Sequence, residues 1–83
     1  MDFDDVVDKL KTERDELRLR AHLMKAEIHD EFKDLERKWD HLESNLGRLK
    51  SASKESAEDV GAALKQLTEE LAEGYQRVKK SVQ

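Results

Sequence analysis

Three histidines and a large set of carboxylates are the side chains of this 83-residue chain with the most chemistry to offer. A helical metal site needs a second ligand three or four residues away on the same face. His22 has Arg18, Leu19, Lys25 and Ala26 at those distances, His29 has Lys25, Ala26, Phe32 and Lys33, and His41 has Arg37, Lys38, Ser44 and Asn45. Each neighbourhood supplies cations and no partner ligand, so the spacing assigns the histidines to the surface and predicts no metal site. Cysteine is absent, which removes disulfides, thiolate ligands and thiol chemistry. The carboxylates stand four residues from bases, as in Asp5–Lys9, Glu16–Arg20, Asp34–Lys38 and Glu73–Arg77. Such pairs are ordinary support for solvated helix faces. No Ser/His/Asp arrangement, phosphate-cradling glycine loop or nucleophile elbow is present. The expectation is a protein with no catalytic activity, no cofactor and no small-molecule substrate.

Other residues invite a functional reading and yield a structural one. Trp39 is the single tryptophan and falls among the apolar positions, where a large core side chain explains it better than ligand stacking. Tyr75 reads as a core-edge residue whose hydroxyl reaches water. Arg14 stands at a core position, where it can lift its head to solvent, pair across an interface or fix register. Residues 9–25 are basic, but acids interrupt them, no aromatics accompany them and the chain as a whole carries −4. That pattern disfavours nucleic-acid binding.

The elements that must carry these residues follow from apolar spacing. Val7, Leu10, Arg14, Leu17, Ala21, Met24, Ile28, Phe32, Leu35, Trp39, Leu42, Leu46 and Leu49 are separated by steps of three and four, with one extra four-step at Ile28. This is a heptad seam with a local slip of phase. A second stripe runs through Ala57, Val60, Leu64, Leu67, Leu71, Tyr75, Val78 and Val82, with an extra four-step at Leu71. Proline is absent, and no apolar run alternates with the period of two that strands require. Charged residues make up 43% of the chain, which could suggest disorder, but the helical spacing argues for order. The predicted fold is all-α: a helical hairpin with a first helix over about residues 3–50, a turn at about 51–55 and a second helix over about 56–82, forming one domain.

Local signals support those bounds. Acids Asp2, Asp4 and Asp5 suit a first helical turn. Ser56 with Asp59 fits a capping pattern for the second helix, and Gly47 could end the first one early. The alternative is one continuous helix of about 80 residues, roughly 120 Å long. Gly61 and Gly74 sit inside the second helix, where close helix approach and simple tolerance explain them equally.

The two helices differ in length, and that difference carries the prediction of assembly. Folded back, the second helix covers only about residues 24–50 of the first, leaving Val7, Leu10, Leu17 and Ala21 facing water. Exposing large apolar side chains costs about 1.5–3 kcal/mol each. A second copy would cover them. Residues 9–25 carry +3 and residues 27–43 carry −4, so two first helices could pair antiparallel about residue 26. The predicted interface and core is Val7, Leu10, Leu17, Ala21, Met24, Ile28, Phe32, Leu35, Trp39, Leu42, Leu46, Leu49, Val60, Leu64, Leu67, Leu71, Tyr75 and Val78. Leu19, Leu23 and Ala26 form a separate patch that could raise a homodimer to a tetramer or be scattered surface residues.

No basic leader precedes an apolar segment, and no apolar run approaches the ~18 residues of a membrane span. The expected location is the cytoplasm. In its order of elements the chain resembles small bacterial coiled-coil proteins: a charged stretch at 9–23, a Glu/Lys-rich helix with a tryptophan in its stripe at 31–49, and an alanine-rich amphipathic helix at 56–75. The resemblance implies a helical hairpin and carries over no biochemical activity. The functional expectation is a non-catalytic, self-associating structural or protein-interaction module whose partner is first a second copy of itself, then an unidentified protein. The alternative is a peripheral membrane-associated or stress-related amphipathic protein.

Overall fold

Basic residues close each long helix, as the helix dipole favours. In the computed structural model, which describes residues 3–51 and 53–82 apart from the side chains of Phe3, Lys54 and Glu55, helix α1 is Phe3–Leu19, α2 is Ala26–Ser51 and α3 is Lys54–Ser81. Asp4 and Asp5 open α1 and Arg18 closes it; Arg48 and Lys50 close α2, and Lys79 and Lys80 close α3. There are no strands among the described residues. Helices α2 and α3 form the antiparallel hairpin expected from the two stripes. The expected helix start at Asp2 and the turn residue Ala52 lie outside the described residues.

The long first helix is in fact two helices. A 3-10 turn, Ala21–Leu23, separates α1 from α2. Arg20 leaves helical geometry at φ −100°, ψ 8°, and Met24 is extended at φ −80°, ψ 133°. The backbone remains bonded through the turn: Arg20 N–H donates to Leu17 O, Leu23 N–H to Arg20 O and Met24 N–H to Ala21 O, at 2.9–3.1 Å. No proline, glycine or capping side chain makes this break, so its cause is tertiary. Each net hydrogen bond lost at a helix interruption is worth about 0.5–1.5 kcal/mol. Each leucine buried is worth about 1.5–3 kcal/mol. Folding back buries both Leu10 and Leu17, which are only 3% and 4% exposed.

The result is an up-down-up bundle, 44 × 21 × 16 Å, which replaces the alternative of a rod ~120 Å long. Asp5 and Val6 lie beside Ala72, while Leu17 and Arg20 lie beside Lys79, so α1 runs parallel to α3. Leu10, Leu17, Phe32, Leu35, Trp39, Leu42, Leu64, Leu71, Tyr75 and Val78 form the buried core. Val7, Met24, Ile28, Leu46, Leu49, Val60 and Leu67 pack partly buried against it. Ala21 is half-buried in the turn. The expected exposure of Val7, Leu10 and Leu17 is therefore corrected: the chain shelters them with its own α3.

Other local expectations are also revised. The cap of α3 is Ser53, whose hydroxyl accepts from Ser56 N–H at 3.5 Å, one turn ahead of the expected Ser56. Gly47 does not end a helix, because α2 continues to Ser51. Gly74 and Gly61 separate cleanly. A Cβ at Gly74 would overlap Leu35 Cδ2 and sit 3.1 Å from its Cγ, whereas a Cβ at Gly61 would meet nothing within 4 Å. Close approach explains the first; tolerance explains the second.

Candidate functional site

The end of the bundle formed by the α1–α2 turn concentrates features the core does not use. Leu19 and Leu23 are 78% and 57% exposed, large apolar side chains left in water. Arg18, Arg20 and Lys25 flank them in sequence. The parallel course of α1 and α3 adds the last turn of α3. Arg20 and Lys79 border the same crevice, and Ser81 lies with Lys25, Ala26 and Ile28 around a neighbouring opening. Lys79 and Lys80 thus join the turn's cations at one end. Five bases here face four acids, Glu13, Asp15, Glu16 and Glu27, which leaves the tip at +1 and the rest of the −4 chain at −5. None of these five bases is in an ion pair among the described residues. The basic block at 9–25 was legible in the sequence; Lys79 and Lys80 were not, because only the fold brings them there.

Away from the tip, the polar chemistry is structural. Arg14, flagged as an odd core residue, forms a forked pair with Glu36: Nε donates to Oε1 at 2.7 Å and Nη2 to Oε2 at 2.8 Å. Its guanidinium also stands 5.3 Å from the Trp39 ring centroid, within cation–π range. The hydrogen bond to Glu36 holds the Arg14 pKa above its ordinary value against the opposing effect of burial. Tyr75 packs beside this pair. Burial pushes its hydroxyl pKa well above the ordinary tyrosine value, and the Glu36 charge adds to the rise. Tyr75 Oη and Trp39 Nε1 find no hydrogen-bond partner among the described protein groups. The tyrosine hydroxyl expected at the core edge is therefore enclosed.

The expected four-residue ion pairs are replaced by others. Glu31 pairs with Arg77 at 2.7 Å and Lys38 with Glu70 at 3.3 Å, both between α2 and α3, while Arg37 pairs with Asp34 at 3.3 Å along α2. Among the described residues no three His, Asp or Glu side chains converge on a point where a cation could sit. The crevice beside Tyr75 holds about 10 Å³, room for one water. A half-open groove of about 470 Å³ between α1 and α3 has Val6, Leu10 and Ala72 as its floor, edged by Asp5, Lys9 and Glu13. Those three charges are successive turns of one solvated helix face. No helix among the described residues is long and apolar enough to cross a membrane.

No protein-family model matches the chain, and neither a curated protein nor a solved structure matches it at a significant level.

Proposed function

We propose that the chain is a non-catalytic helical docking module that finishes its own core and makes its contacts through the α1–α2 end. The observation that carries this reading is the pair Leu19, at the end of α1, and Leu23, in the turn after it, both exposed while Leu10 and Leu17 of α1 are buried. Exposed apolar surface rimmed by polar residues is the kind that interaction sites present. The polar cluster of Arg14, Glu36, Trp39 and Tyr75 supports the fold instead. Its members satisfy or enclose one another and leave no opening for a ligand larger than water.

The test is a photoreactive side chain placed at position 23 and, as a control, at exposed Glu43, each irradiated in a native extract that retains its membranes. Adducts at position 23 and not at 43 support the reading; equal labelling, or none, overturns it.

A second reading, self-association, has one observation in its favour. Helix α1 begins beside Ala72 and so leaves the first half of α3 and the end of α2 without a third helix. Leu46, Leu49, Val60 and Leu67 are only partly buried on that half. A homodimer would now use this surface. The length mismatch that first suggested it no longer applies, since Leu10 and Leu17 need no mate. A solution mass of twice 9.7 kDa would support it.

A further inference from the structure

We propose that the α1–α2 tip docks end-on to an anionic lipid bilayer, Leu19 and Leu23 entering the interface and Arg18, Arg20, Lys25, Lys79 and Lys80 meeting the headgroups. This inference rests on the docking-module reading and names its partner. Helix dipoles explain some of the cations: Arg18, Lys79 and Lys80 close helices whose negative ends lie here. They do not explain two exposed leucines, nor Arg20 and Lys25, which lie in the turn outside any α-helix.

The shape of the patch decides between partners. Two leucines at the end of a bundle only 21 × 16 Å in cross-section present far less surface than the ~1,000 Å² a specific protein interface needs. They are exposed, Leu19 at the rim of a shallow, open depression with Asp15 and Arg18, so a rigid partner would need a surface shaped to them. A fluid surface needs none. It takes up apolar tips wherever they land, and anionic headgroups attract the surrounding bases. The remaining −5 of the chain would be repelled by the same surface. That repulsion selects the end-on orientation and keeps the sides of the bundle in water. The contact uses the folded chain, so it requires no gain of helix. An amphipathic segment that folds on lipid would behave oppositely.

The experiment is co-sedimentation of the full chain with vesicles of phosphatidylcholine alone or with about 30% phosphatidylserine, at about 0.05 M and 0.5 M salt. Expected are binding to the anionic vesicles at least about tenfold stronger than to the neutral ones, a loss of at least about tenfold at high salt, and an unchanged far-ultraviolet helix signal. Leu19→Ser with Leu23→Ser, both exposed and so harmless to the fold, should weaken binding about tenfold or more; Arg20→Glu with Lys25→Glu should do the same. Leu23→Trp should tighten it, since tryptophan favours the interface. No anionic preference, or serine variants that bind like the parent, would overturn the proposal. The photoreactive chain at position 23 separates the two levels of the argument. Lipid adducts support the bilayer, protein adducts alone defeat the bilayer but keep the module, and no adducts defeat both.

Discussion

Gly61 and Gly74 lie in one helix, and the same substitution at the two sites should move stability in opposite directions. Replacing glycine by alanine in a helix interior gains about 1 kcal/mol of helix propensity. At Gly61 the new methyl meets nothing within 4 Å, so the whole gain should be realised. At Gly74 it would run into Leu35, with Cδ1 at 3.0 Å and Cγ at 3.1 Å. Leu35 is itself 2% exposed and enclosed by the core, so its tip has no solvent to swing into. Overpacking of that kind costs about 1–3 kcal/mol. The propensity gain is common to both variants and cancels in the comparison. Gly74→Ala should therefore be less stable than Gly61→Ala by about 1–3 kcal/mol, and each kcal/mol is worth about 4–8 °C in a domain of this size. Urea unfolding followed by the helix signal, with Trp39 fluorescence as a second probe, reads the difference. A cycle with Leu35→Ala locates it: with Leu35 truncated, Gly74→Ala should regain its ~1 kcal/mol. Equal stability of the two single variants would refute the close contact of α2 and α3 at this layer.

Three further outcomes follow from the core. Leu10→Ala and Leu17→Ala should each cost about 2–5 kcal/mol, and the unfolding midpoint of the parent chain should hold constant over about a hundred-fold range of concentration; a midpoint that climbs with concentration would make a second copy part of the fold. Arg14→Met should cost about 1.5–3 kcal/mol, because both partners of its forked pair are largely shielded at 17% and 29% exposure. Arg37→Met, at an exposed pair, should cost under about 0.5 kcal/mol, and similar losses at the two sites would remove any special weight from the Arg14 cluster. Stability should fall above pH 10. An unfolded tyrosine releases its proton there while buried Tyr75 retains it, so the unfolded chain binds fewer protons and gains by up to about 1.4 kcal/mol per pH unit. Tyr75 is the single tyrosine, so near-ultraviolet absorbance follows it alone, and a folded-state midpoint at the ordinary value would refute its enclosure; Tyr75→Phe should flatten the alkaline slope.

Why the hairpin was legible and the third helix was not is a matter of where each signal resides. The stripes through Phe32, Leu35, Trp39 and Leu42 and through Leu64, Leu71, Tyr75 and Val78 are local patterns, and all eight residues are buried. The break at residues 20–25 has no local mark. Every residue from Leu17 to Met24 is tolerated in a helix, and the apolar spacing carries on across it. What decides the break is a comparison between two ways of covering Leu10 and Leu17: a second molecule, or the far side of α3. The second requires only that a few helical hydrogen bonds be exchanged for the tighter bonds of a 3-10 turn. It also avoids the translational and rotational entropy lost when two chains associate, about 4–15 kcal/mol.

The same fold-back creates the candidate site. Had the first helix stayed straight, Leu19 and Leu23 would lie midway along a rod, with Lys79 and Lys80 at a position set only by the hairpin. Turning the chain at residues 20–25 carries the two leucines to one end and swings the close of α3 beside them. A reader of the sequence sees two leucines among bases and cannot tell surface noise from a patch. The fold supplies the missing criterion. Leu10 and Leu17 are buried on α1, and Ala21 and Met24 are still half-buried beyond it, whereas Leu19 and Leu23 between them stay exposed. Apolar surface that the chain cannot use for its own stability is open to selection for something else, and the unpaired bases around it are what the proposed anionic surface would meet.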